Sequence, residues 1–478
     1  MRKSLGFERA WLVAMMKAKG DWKEIGMKPD FLHIGIDDTD SPRGGCTTYI
    51  GALLVERLSK LGLKFIDYPN LVRLNPNVPW KTRGNGAVSL RVFGNQEAIE
   101  KAKEVTITIV EEESDFEWNG TDPGLVFIYG ELPQELASFS KRAIQSLVTM
   151  KEAIDLIKRF GGEAIGYNRG RGIIGALAAI GERLQGDHTY ELIAYRKKEN
   201  RDLPRRVDED SIRTMDRETY PETFNNLDAE TGRILVTPRG PDPVLYGIRG
   251  ESPEAVYRAH RIVKVYEEIE RWVIFKTNHG TDSHLGPKKG LSSVKPYMPI
   301  IALGRVSRAP RRIEGRHVLF SITDGERSID CAAYEPTGDF RRIVEKLIEG
   351  DLVEVYGGVR PASRNHAITI NLEKLRILKL VPKYFFENPL CPSCGKRMKS
   401  MGREKGFRCD TCGFKDREAK KLLKEEAREI TEGLYTTPPR CHRHLTKPLV
   451  RYGREKINPW SSTQEPSCLH LFTPWHEP

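Results

Sequence analysis

Four of the eight cysteines form two Cys-x-x-Cys pairs, and this spacing constrains the C-terminal part of the chain more than any other feature. Cys391 and Cys394 are separated by 14 residues from Cys409 and Cys412. Two such pairs supply four thiolates, a set that suits tetrahedral Zn²⁺, and an iron centre is the alternative. Because four cysteine ligands leave no open coordination position, we predict a structural zinc ribbon followed by a charged helix over Arg417–Ile430.

The composition excludes a membrane protein and a disulfide-stabilised secreted domain. The chain has 478 residues and a mean hydropathy of −0.49. Its apolar runs are shorter than the roughly 20 residues that a membrane helix needs. The other four cysteines are isolated, which is not the pattern of a disulfide framework. We therefore expect a cytoplasmic protein of several domains.

The charge of the chain favours a polyanionic partner. The formal net charge is +11, and the segment from Lys383 to the end, with 19 Lys and Arg against 12 Asp and Glu, accounts for +7 of it. Soluble proteins this basic commonly bind nucleic acid. A thermophile-like surface rich in Lys, Arg and Glu is the alternative.

Hydrophobic periodicity predicts an α+β multidomain fold. A strand over Phe31–Ile36, a helix over Thr47–Leu61 and further strands at 87–92 and 125–129 form the first unit. The next unit has the β-α-β-β-α-β order of a ferredoxin-like domain, with its first strand predicted over Ile173–Ile180. Five strands and one helix then outline an OB-fold β-barrel. We place the boundaries as follows: an N-terminal extension 1–30, an α/β unit 31–165, a ferredoxin-like domain 166–286, an OB-fold 287–382, the ribbon with a C-terminal segment 388–450, and a disordered tail 451–478.

An acidic, glycine-rich turn follows the first strand and is the strongest candidate for nucleotide chemistry. Carboxylates packed this closely repel one another unless a cation such as Mg²⁺ lies between them. The glycines free the backbone, and a threonine at the following helix start can cap the helix, bind phosphate or act as a nucleophile. The alternative is an ordinary turn with Thr47 as N-cap. The candidate residues are Asp37, Asp38, Asp40, Gly44, Gly45, Thr47 and Thr48.

A second glycine-containing loop, at residues 79–86, carries Lys81 and Arg83. Neutralisation of phosphate is the natural use of such a pair, and a solvated loop is the alternative. Arg169-Gly-Arg171-Gly172 is a weaker signal of the same kind, and 121–124 reads as a turn. His279 and His284 lie on either side of Asp282, but we interpret this cluster as hydrogen-bonding groups and not as a metal site.

Basic residues in the OB-fold and in the C-terminal segment are candidates for RNA binding. Two aromatic residues of the OB-fold, Phe320 and Tyr334, are either stacking platforms or core residues. The segment at 436–449 combines rigid prolines with basic residues, so it is either a docking segment or a disordered basic tail. The basic candidates are Arg305, Arg308, Arg311, Arg312, His442, Arg443, His444 and Lys447.

The ordered set of motifs resembles one family. IGIDDTDSPRGGCTTY, RLNPNVPWKTRGNGAVS, RGIIGALAAIG, PVLYGIRGES, TNHGTDSHL and PPRCHRHLTKPL are similar to segments of the archaeal tRNA(Ile) 2-agmatinylcytidine synthetases, over about residues 31–450. The resemblance implies a kinase-like catalytic domain at 31–165. It also implies an ATP-dependent attachment of agmatine to the wobble cytidine of the CAU-anticodon isoleucine tRNA, and no protein partner is evident.

The resemblance also assigns roles to particular residues. It implies that Asp37 and Asp38 hold Mg²⁺, with Asp40 beside the triphosphate, and that Thr47 takes a phosphate from ATP. Lys81, Arg83 and Asn85 are expected to line the nucleotide site together with the glycine turn. The agmatine pocket is not assigned, and Asp282 is only a weak candidate for it.

Two rival functions remain open at this point. One is an ATP-dependent RNA-modifying enzyme that uses a different amine on the same scaffold. The other is a non-catalytic RNA-binding protein built on the OB-fold and the ribbon. The three acids beside a phosphate-type turn disfavour the second rival, because a pure binder has no need for them.

Overall fold

The computed structural model describes residues 10–11, 31–364, 366–456 and 471–477. Most of the predicted N-terminal extension therefore lies outside the described residues. Within the described part, no helix combines the length and apolar character that crossing a membrane requires.

The first unit is an antiparallel sheet covered by helices, and the predicted strand, turn and helix at its start are confirmed. Apolar residues of α1 pack on the sheet because the helix repeats them on one face, and Ile50, Leu54 and Leu58 are fully buried. The elements are β1 (Ala10–Trp11), β2 (Phe31–Asp37), α1 (Thr47–Lys60), β3 (Lys64–Phe65), β4 (Asn70–Arg73), β5 (Gly86–Phe93), α2 (Gln96–Glu113), β6 (Gly124–Tyr129), α3 (Gln134–Gln145), α4 (Met150–Arg159) and β7 (Glu163–Tyr167).

The strand predicted over Ile173–Ile180 is wrong, because these residues form a helix, α5 (Gly172–Gly181). Nearly every residue of α5 is buried, so its apolar pattern runs all the way round and resembles a buried strand. The helix packs very closely on β2. A Cβ atom at Gly35 would lie 2.2 Å from the carbonyl oxygen of Ala176, so only glycine permits this contact.

The second unit consists of strands and two helices, without the first strand of the predicted β-α-β-β-α-β order. The helix predicted over Pro253–Ile269 ends at Ile262. The elements are β8 (Thr189–Arg196), α6 (Glu209–Thr219), β9 (Thr223–Phe224), β10 (Val244–Gly250), α7 (Pro253–Ile262) and β11 (Ile269–Thr277).

The first two units share one sheet. β4 and β11 pair in parallel, with Asn70 opposite Lys276 and Leu71 opposite Thr277. The resulting strand order is β1-β7-β6-β2-β5-β4-β11-β8-β10-β9. The two units are therefore joined by backbone hydrogen bonds and not by a flexible linker.

The OB-fold is confirmed as a closed barrel. Its first strand pairs with both the second and the fourth, and β14 and β16 close it through a parallel pairing. Phe320 is buried in this barrel, so the core interpretation of that residue is correct. The elements are β12 (Pro299–Arg312), β13 (Val318–Thr323), β14 (Ser328–Ala333), α8 (Asp339–Glu345), β15 (Leu352–Arg360) and β16 (Thr369–Lys379).

A two-stranded hairpin, which we call the ribbon arm, connects the barrel to the cysteine pairs. It consists of β17 (Lys383–Glu387) and β21 (Leu422–Glu426), which pair with each other. The short strands β18 (Lys399–Ser400), β19 (Phe407–Arg408) and β20 (Lys415–Asp416) form the ribbon between them. The helix predicted over Arg417–Ile430 is therefore wrong, because cross-strand pairing with β17 overrides the helical propensity of its Lys, Leu and Glu residues.

The chain then returns along a C-terminal strap, residues 433–456, which starts as β22 (Gly433–Thr436) on the barrel sheet. Arg451, near its end, is fully buried and bonds both Asp187 and Glu251 of the second unit. The last strand, β23 (His476–Glu477), pairs with β11. The prediction of a disordered tail is thus wrong for 451–456 and 471–477, while 457–470 lies outside the described residues.

Candidate active site

The acidic turn lies where three elements meet: the end of β2, the start of α1 and the start of α5. Asp37 is the last residue of β2, and Thr47 is the first of α1. A Cβ atom at Gly172 would lie 2.5 Å from the carbonyl oxygen of Asp37, which places the start of α5 directly against the turn. The positive end of the α5 dipole therefore points at this acidic region, where it stabilises negative charge.

Asp37 and Asp38 both line a cleft of about 640 Å³ of empty space. Burial, followed by the neighbouring Asp38 charge, raises the pKa of Asp37 well above its ordinary value. Burial also raises the pKa of Asp38 to about 7, against the lowering effect of Arg171. Two desolvated carboxyls whose charges oppose each other make a strong site for a cation.

Asp40 does not accompany the other two acids. Its carboxylate accepts a hydrogen bond of 2.7 Å from the hydroxyl of Thr82 and lies 3.5 Å from the guanidinium of Arg83. It therefore ties the turn to the 79–86 loop, and it is not among the residues that line the cleft. The prediction that the three acids act as one group is wrong in this respect.

Arg83 braces the turn from outside. Its guanidinium donates to the carbonyl oxygens of Ser41, Gly44 and Gly45 at 2.9 to 3.1 Å. Gly44 and Gly45 both have positive φ, which brings these carbonyls to one side of the turn. The guanidinium is thus occupied within the chain, so the structure gives Arg83 a role in shaping the turn and does not place it in the cleft.

Thr47 and Thr48 stand at the helix start, as predicted, but both are buried. The hydroxyl of Thr47 lies 2.9 Å from that of Thr39, and the hydroxyl of Thr48 lies 3.0 Å from Sγ of Cys46. Cys46 is the N-cap residue of α1, so the alternative in which Thr47 is a plain N-cap is wrong.

Asp122 and Arg171 are site residues that sequence reasoning misses or undervalues. Asp122 is 1% exposed and accepts from the guanidinium nitrogens of Arg171 at 2.6 Å and of Arg169 at 3.2 Å. Its backbone N–H lies 3.3 Å from the carboxylate of Asp38, and Arg171 lines the cleft. The signal is the RGRG sequence directly before α5, which carries little weight when α5 is interpreted as a strand.

The 79–86 loop forms the other wall of the cleft. Lys81, Thr82 and Asn85 line it, and Trp80, which is 53% exposed, lies at its mouth. Burial and the nearby charge of Arg443 lower the pKa of the Lys81 amine. The remaining wall is apolar, so one end of the cleft can take an uncharged ring and the other end a chain of phosphates. The apolar residues are Leu74, Val78, Ala143, Leu147, Val148 and Ile174.

The residues of the cleft fit Mg²⁺ in the manner usual for nucleotide sites. Mg²⁺ is commonly held by one or two carboxylates, with phosphate oxygens and water as its other ligands. Asp37 and Asp38 supply those two carboxylates, and Arg171 and Lys81 lie on the same cleft. When bound, the ion would neutralise phosphate charge beside them.

The four paired cysteines converge, as predicted. Their sulfur atoms all lie within 4.8 Å of one another, and Cys391 faces Cys412 at 3.4 Å, as Cys394 faces Cys409. Four sulfurs on two knuckles fit a tetrahedral Zn²⁺ whose Zn–S bonds are about 2.3 Å long. Within the described residues, this is the one group of side chains that meets the geometry of a metal centre.

Comparison with known proteins agrees with this architecture along the chain. Family models match in order: the TiaS TCKD domain at 33–169, the TiaS FLD domain at 170–284, the OB-fold nucleic acid binding domain at 300–378 and the TiaS C-terminal zinc ribbon at 388–430. A Pyrococcus horikoshii protein named as the tRNA(Ile) 2-agmatinylcytidine synthetase TiaS is 46% identical over 420 residues, which cover 88% of this chain and 97% of that protein. A Staphylothermus marinus protein of the same name is 44% identical over 453 residues, 92% of this chain and 98% of that protein.

The chain belongs to the TiaS family. Among solved structures, a complex of TiaS with its isoleucine tRNA and ATP matches with 43% identity and a TM-score of 0.80. A complex of TiaS with the same tRNA, AMPCPP and agmatine matches with 40% identity and a TM-score of 0.77. Each match covers 88% of this chain and 97% of the other.

The TiaS domain limits show that the cleft is composite. The two acids and the 79–86 loop belong to the TCKD range, whereas Arg171 and Gly175 belong to the FLD range. Although α5 falls within the FLD range, it packs on β2 and β6 of the first unit. One wall of the cleft is therefore carried by a helix that the family model assigns to the neighbouring domain.

The predicted RNA-binding residues fall into two groups. Arg305, Arg308, Arg311 and Arg312 are exposed on β12, although Arg312 is paired with Glu345 at 2.6 Å. The four candidates of the strap face inward instead. Lys447 is buried and ion-paired with Glu455 at 2.9 Å, which argues against its predicted role.

The histidines and Arg443 of the strap also have partners within the chain. The Nε2 atom of His442 lies 2.7 Å from the carbonyl oxygen of Thr437, and the ring of His444 packs edge-on against His279. Arg443 lies 3.4 Å from Glu373. These contacts describe an ordered strap and contradict the alternative of a disordered basic tail.

Asp282, the weak candidate for agmatine, is also occupied. Its carboxylate pairs with the fully buried amine of Lys374 and accepts from the backbone N–H of Lys447 at 2.7 Å. A carboxylate held by a buried lysine is not free to bind a guanidinium, so we remove Asp282 from the candidates.

Proposed function

We propose that this chain attaches agmatine to the wobble cytidine of the CAU-anticodon isoleucine tRNA, using ATP. The observation that carries the proposal is the cleft itself: two desolvated carboxylates, Arg171 and Lys81 lie together in a chain that is similar over nearly its whole length to TiaS proteins. The TiaS complexes with isoleucine tRNA, ATP and agmatine support the choice of substrates. We place the reaction in the cytoplasm.

The proposed chemistry has two steps. In the first, the 2-oxo oxygen of the cytidine attacks the terminal phosphorus of ATP, the bond to the bridging oxygen breaks, and ADP leaves. In the second, the primary amine of agmatine attacks C2 of the ring. The C2–oxygen bond then breaks, and inorganic phosphate leaves with the oxygen while the amine loses a proton. Phosphorylation is needed because a ring carbonyl oxygen is otherwise a poor leaving group.

Each cleft residue has a role in this scheme. Asp37 and Asp38 would hold the Mg²⁺ that bridges the phosphates, and Arg171, oriented by Asp122, would neutralise charge that develops on the transferred phosphoryl group. Lys81 and Asn85 line the opposite wall and would position the triphosphate. Asp40 and Arg83 would hold the turn in shape.

Thr47 keeps the role that the family resemblance gives it, as an acceptor of phosphate from ATP. Its hydroxyl is hydrogen-bonded to that of Thr39, and the residue is 5% exposed. Phosphorylation would therefore require the turn at 38–46 to move, and a phosphate detected on Thr47 by mass spectrometry would support this role.

The test is transfer of radiolabelled agmatine in the presence of ATP and Mg²⁺. The CAU-anticodon isoleucine tRNA and the CAU-anticodon methionine tRNAs are compared side by side, and label in the isoleucine tRNA alone is the expected result. Asp38→Asn is expected to abolish transfer, whereas Glu117→Gln, a change at an exposed acid, is expected to leave it unchanged. ATP consumption without label would favour another amine, and RNA binding that survives with no ATP turnover would favour a non-catalytic binder.

A further inference from the structure

The ribbon arm exposes more large apolar side chains than a short hairpin in water normally tolerates. Tyr384, Phe385 and Phe386 are consecutive on β17 and are 54%, 41% and 67% exposed, and Leu422 and Leu423 on β21 are 45% and 58% exposed. Two-stranded hairpins are marginally stable on their own, and exposed apolar patches usually mark a contact surface. The arm therefore calls for an explanation beyond its connection to the ribbon.

The two faces of the arm differ in kind. Side chains alternate between the faces of a strand, so Lys383, Phe385 and Glu387 share one face, opposite Glu426, Lys424 and Leu422. On this face Lys383 pairs with Glu426 and Lys424 pairs with Glu387, each at 2.8 Å. Its polar groups are thus mutually satisfied around Phe385.

The other face carries Tyr384 and Phe386 opposite Glu425 and Leu423. We call the three large residues Tyr384, Phe386 and Leu423 the aromatic face. It has one carboxylate, and its two rings are alternate residues of the same strand. Two exposed rings side by side on a strand form the type of platform on which successive unpaired bases stack.

The electrostatic surroundings select nucleic acid as the occupant. From Lys383 to Glu426 there are 12 Lys and Arg against 7 Asp and Glu, a net charge of +5. Most of these basic residues, including Arg403, Lys405 and Lys420, are exposed on the ribbon and its connections. A basic, aromatic hairpin that projects from an OB-fold attracts a polyanion, whereas a protein partner would need no such excess of positive charge.

We propose that the aromatic face binds unpaired nucleotides of the RNA substrate by stacking them on Tyr384 and Phe386. This proposal deepens the proposed function, on which it rests, by naming the part of the chain that holds single-stranded RNA away from the cleft. The basic residues would supply affinity for phosphates, and the two rings would select nucleotides that are not base-paired.

The test compares variants on the two faces of the same hairpin. Affinity for the CAU-anticodon isoleucine tRNA and for a single-stranded RNA decamer is measured by fluorescence anisotropy at several salt concentrations. The variant Y384A/F386A is expected to weaken binding of both RNAs at least about tenfold, because each lost base stack is worth roughly 5- to 150-fold. F385A, the matched control on the opposite face, is expected to change affinity by less than about threefold.

Two further readouts separate stacking from simple unfolding. The ring-preserving variant Y384F/F386W is expected to keep wild-type affinity, and all variants should retain one zinc per chain. The dependence of log Kd on log salt should keep its slope in Y384A/F386A, since no phosphate contact is removed. A reduced slope would mean that the change had disturbed the basic surface instead.

The outcomes distinguish this proposal from the proposed function. If agmatine is transferred but Y384A/F386A binds both RNAs as tightly as the wild type, the aromatic face is not an RNA surface. If Y384A/F386A instead converts a self-associating protein to a monomer in sedimentation, the face is an interface between copies of this chain. If the tenfold loss appears but no agmatine is transferred to any tRNA, the surface stands and the proposed activity fails.

Discussion

Gly175 offers a direct test of the catalytic role of Asp37, because an alanine there would touch the carboxylate. A Cβ atom at Gly175 would lie 1.8 Å from Oδ2 of Asp37 and 2.5 Å from its Cγ, whereas Cβ atoms do not approach heavy atoms closer than 3.0 Å. The carboxylate must therefore move by at least about 1.2 Å, the difference between 3.0 and 1.8 Å. It is the end of a side chain, so it can swing aside without displacing the backbone.

This geometry predicts a large loss of rate with little loss of stability. A misplacement of about 1 Å in a catalytic group can cost about 100-fold in rate, or about 2.7 kcal/mol in the activation free energy. Gly175 lies inside α5, where alanine is favoured over glycine by roughly 1 kcal/mol, which offsets part of the strain. We expect G175A to transfer agmatine about 100-fold more slowly than the wild type while its unfolding temperature stays within a few degrees.

The assay is single-turnover agmatine transfer at saturating ATP, with thermal unfolding of the same preparations. Gly186→Ala is the matched control, because a Cβ atom there meets no heavy atom within 4 Å. If G175A reacts within about threefold of the wild type, the position of Asp37 does not limit the reaction. If G175A unfolds at a much lower temperature, the strain was relieved through the backbone of β2 and α5 and not through the carboxylate.

Three other perturbations follow from the structure. The pKa of Asp38 is raised to about 7 from its ordinary 3.8, so in Mg²⁺-free protein the free energy of unfolding should fall as the pH rises from about 4 to 7; Asp38→Asn should remove this part of the slope in urea titrations. Cys394→Ser, or removal of zinc by a chelator, should lower tRNA affinity and the unfolding temperature of the ribbon, while tRNA-independent ATP turnover survives; equal loss of both activities would contradict a separable ribbon. Trp475 packs on Phe65 and Tyr68 at ring distances of 5.4 and 6.0 Å, so Trp475→Ala should destabilise the protein by about 1–2 kcal/mol in denaturant unfolding, whereas the exposed Thr473→Ala should not.

Local sequence signals predicted the elements whose patterns are determined by near neighbours. The cysteine spacing, the five barrel strands and the turn from β2 into α1 were predictable because a ligand set, an alternating pattern or a glycine pair states each of them within a few residues. The element at 172–181 was not predictable in this way. Its residues are apolar on all sides because α5 is enclosed by the first unit, and a short enclosed helix has the same composition as a buried strand.

The candidate site was predictable in composition but not in arrangement. Spacing alone could not separate Asp40, which turns to Thr82 and Arg83, from Asp37 and Asp38, which line the cleft. Asp122 is 84 residues beyond Asp38 in the chain and reaches it only through the pairing of β2 with β6. The hairpin at 422–426 likewise depends on a partner strand about 40 residues earlier, which local propensity does not contain.

The pairing of β4 with β11 has a consequence for how the protein is made. Asn70 lies opposite Lys276, so the edge of the first unit stays unpaired until the ribosome has produced about 200 further residues. At about 5–20 residues per second this interval lasts roughly 10–40 s, during which a sheet edge is open to other nascent chains. The parallel register of two strands so distant in sequence thus makes β11 the step that completes the first unit. Synthesis halted before residue 277 should leave a product that aggregates.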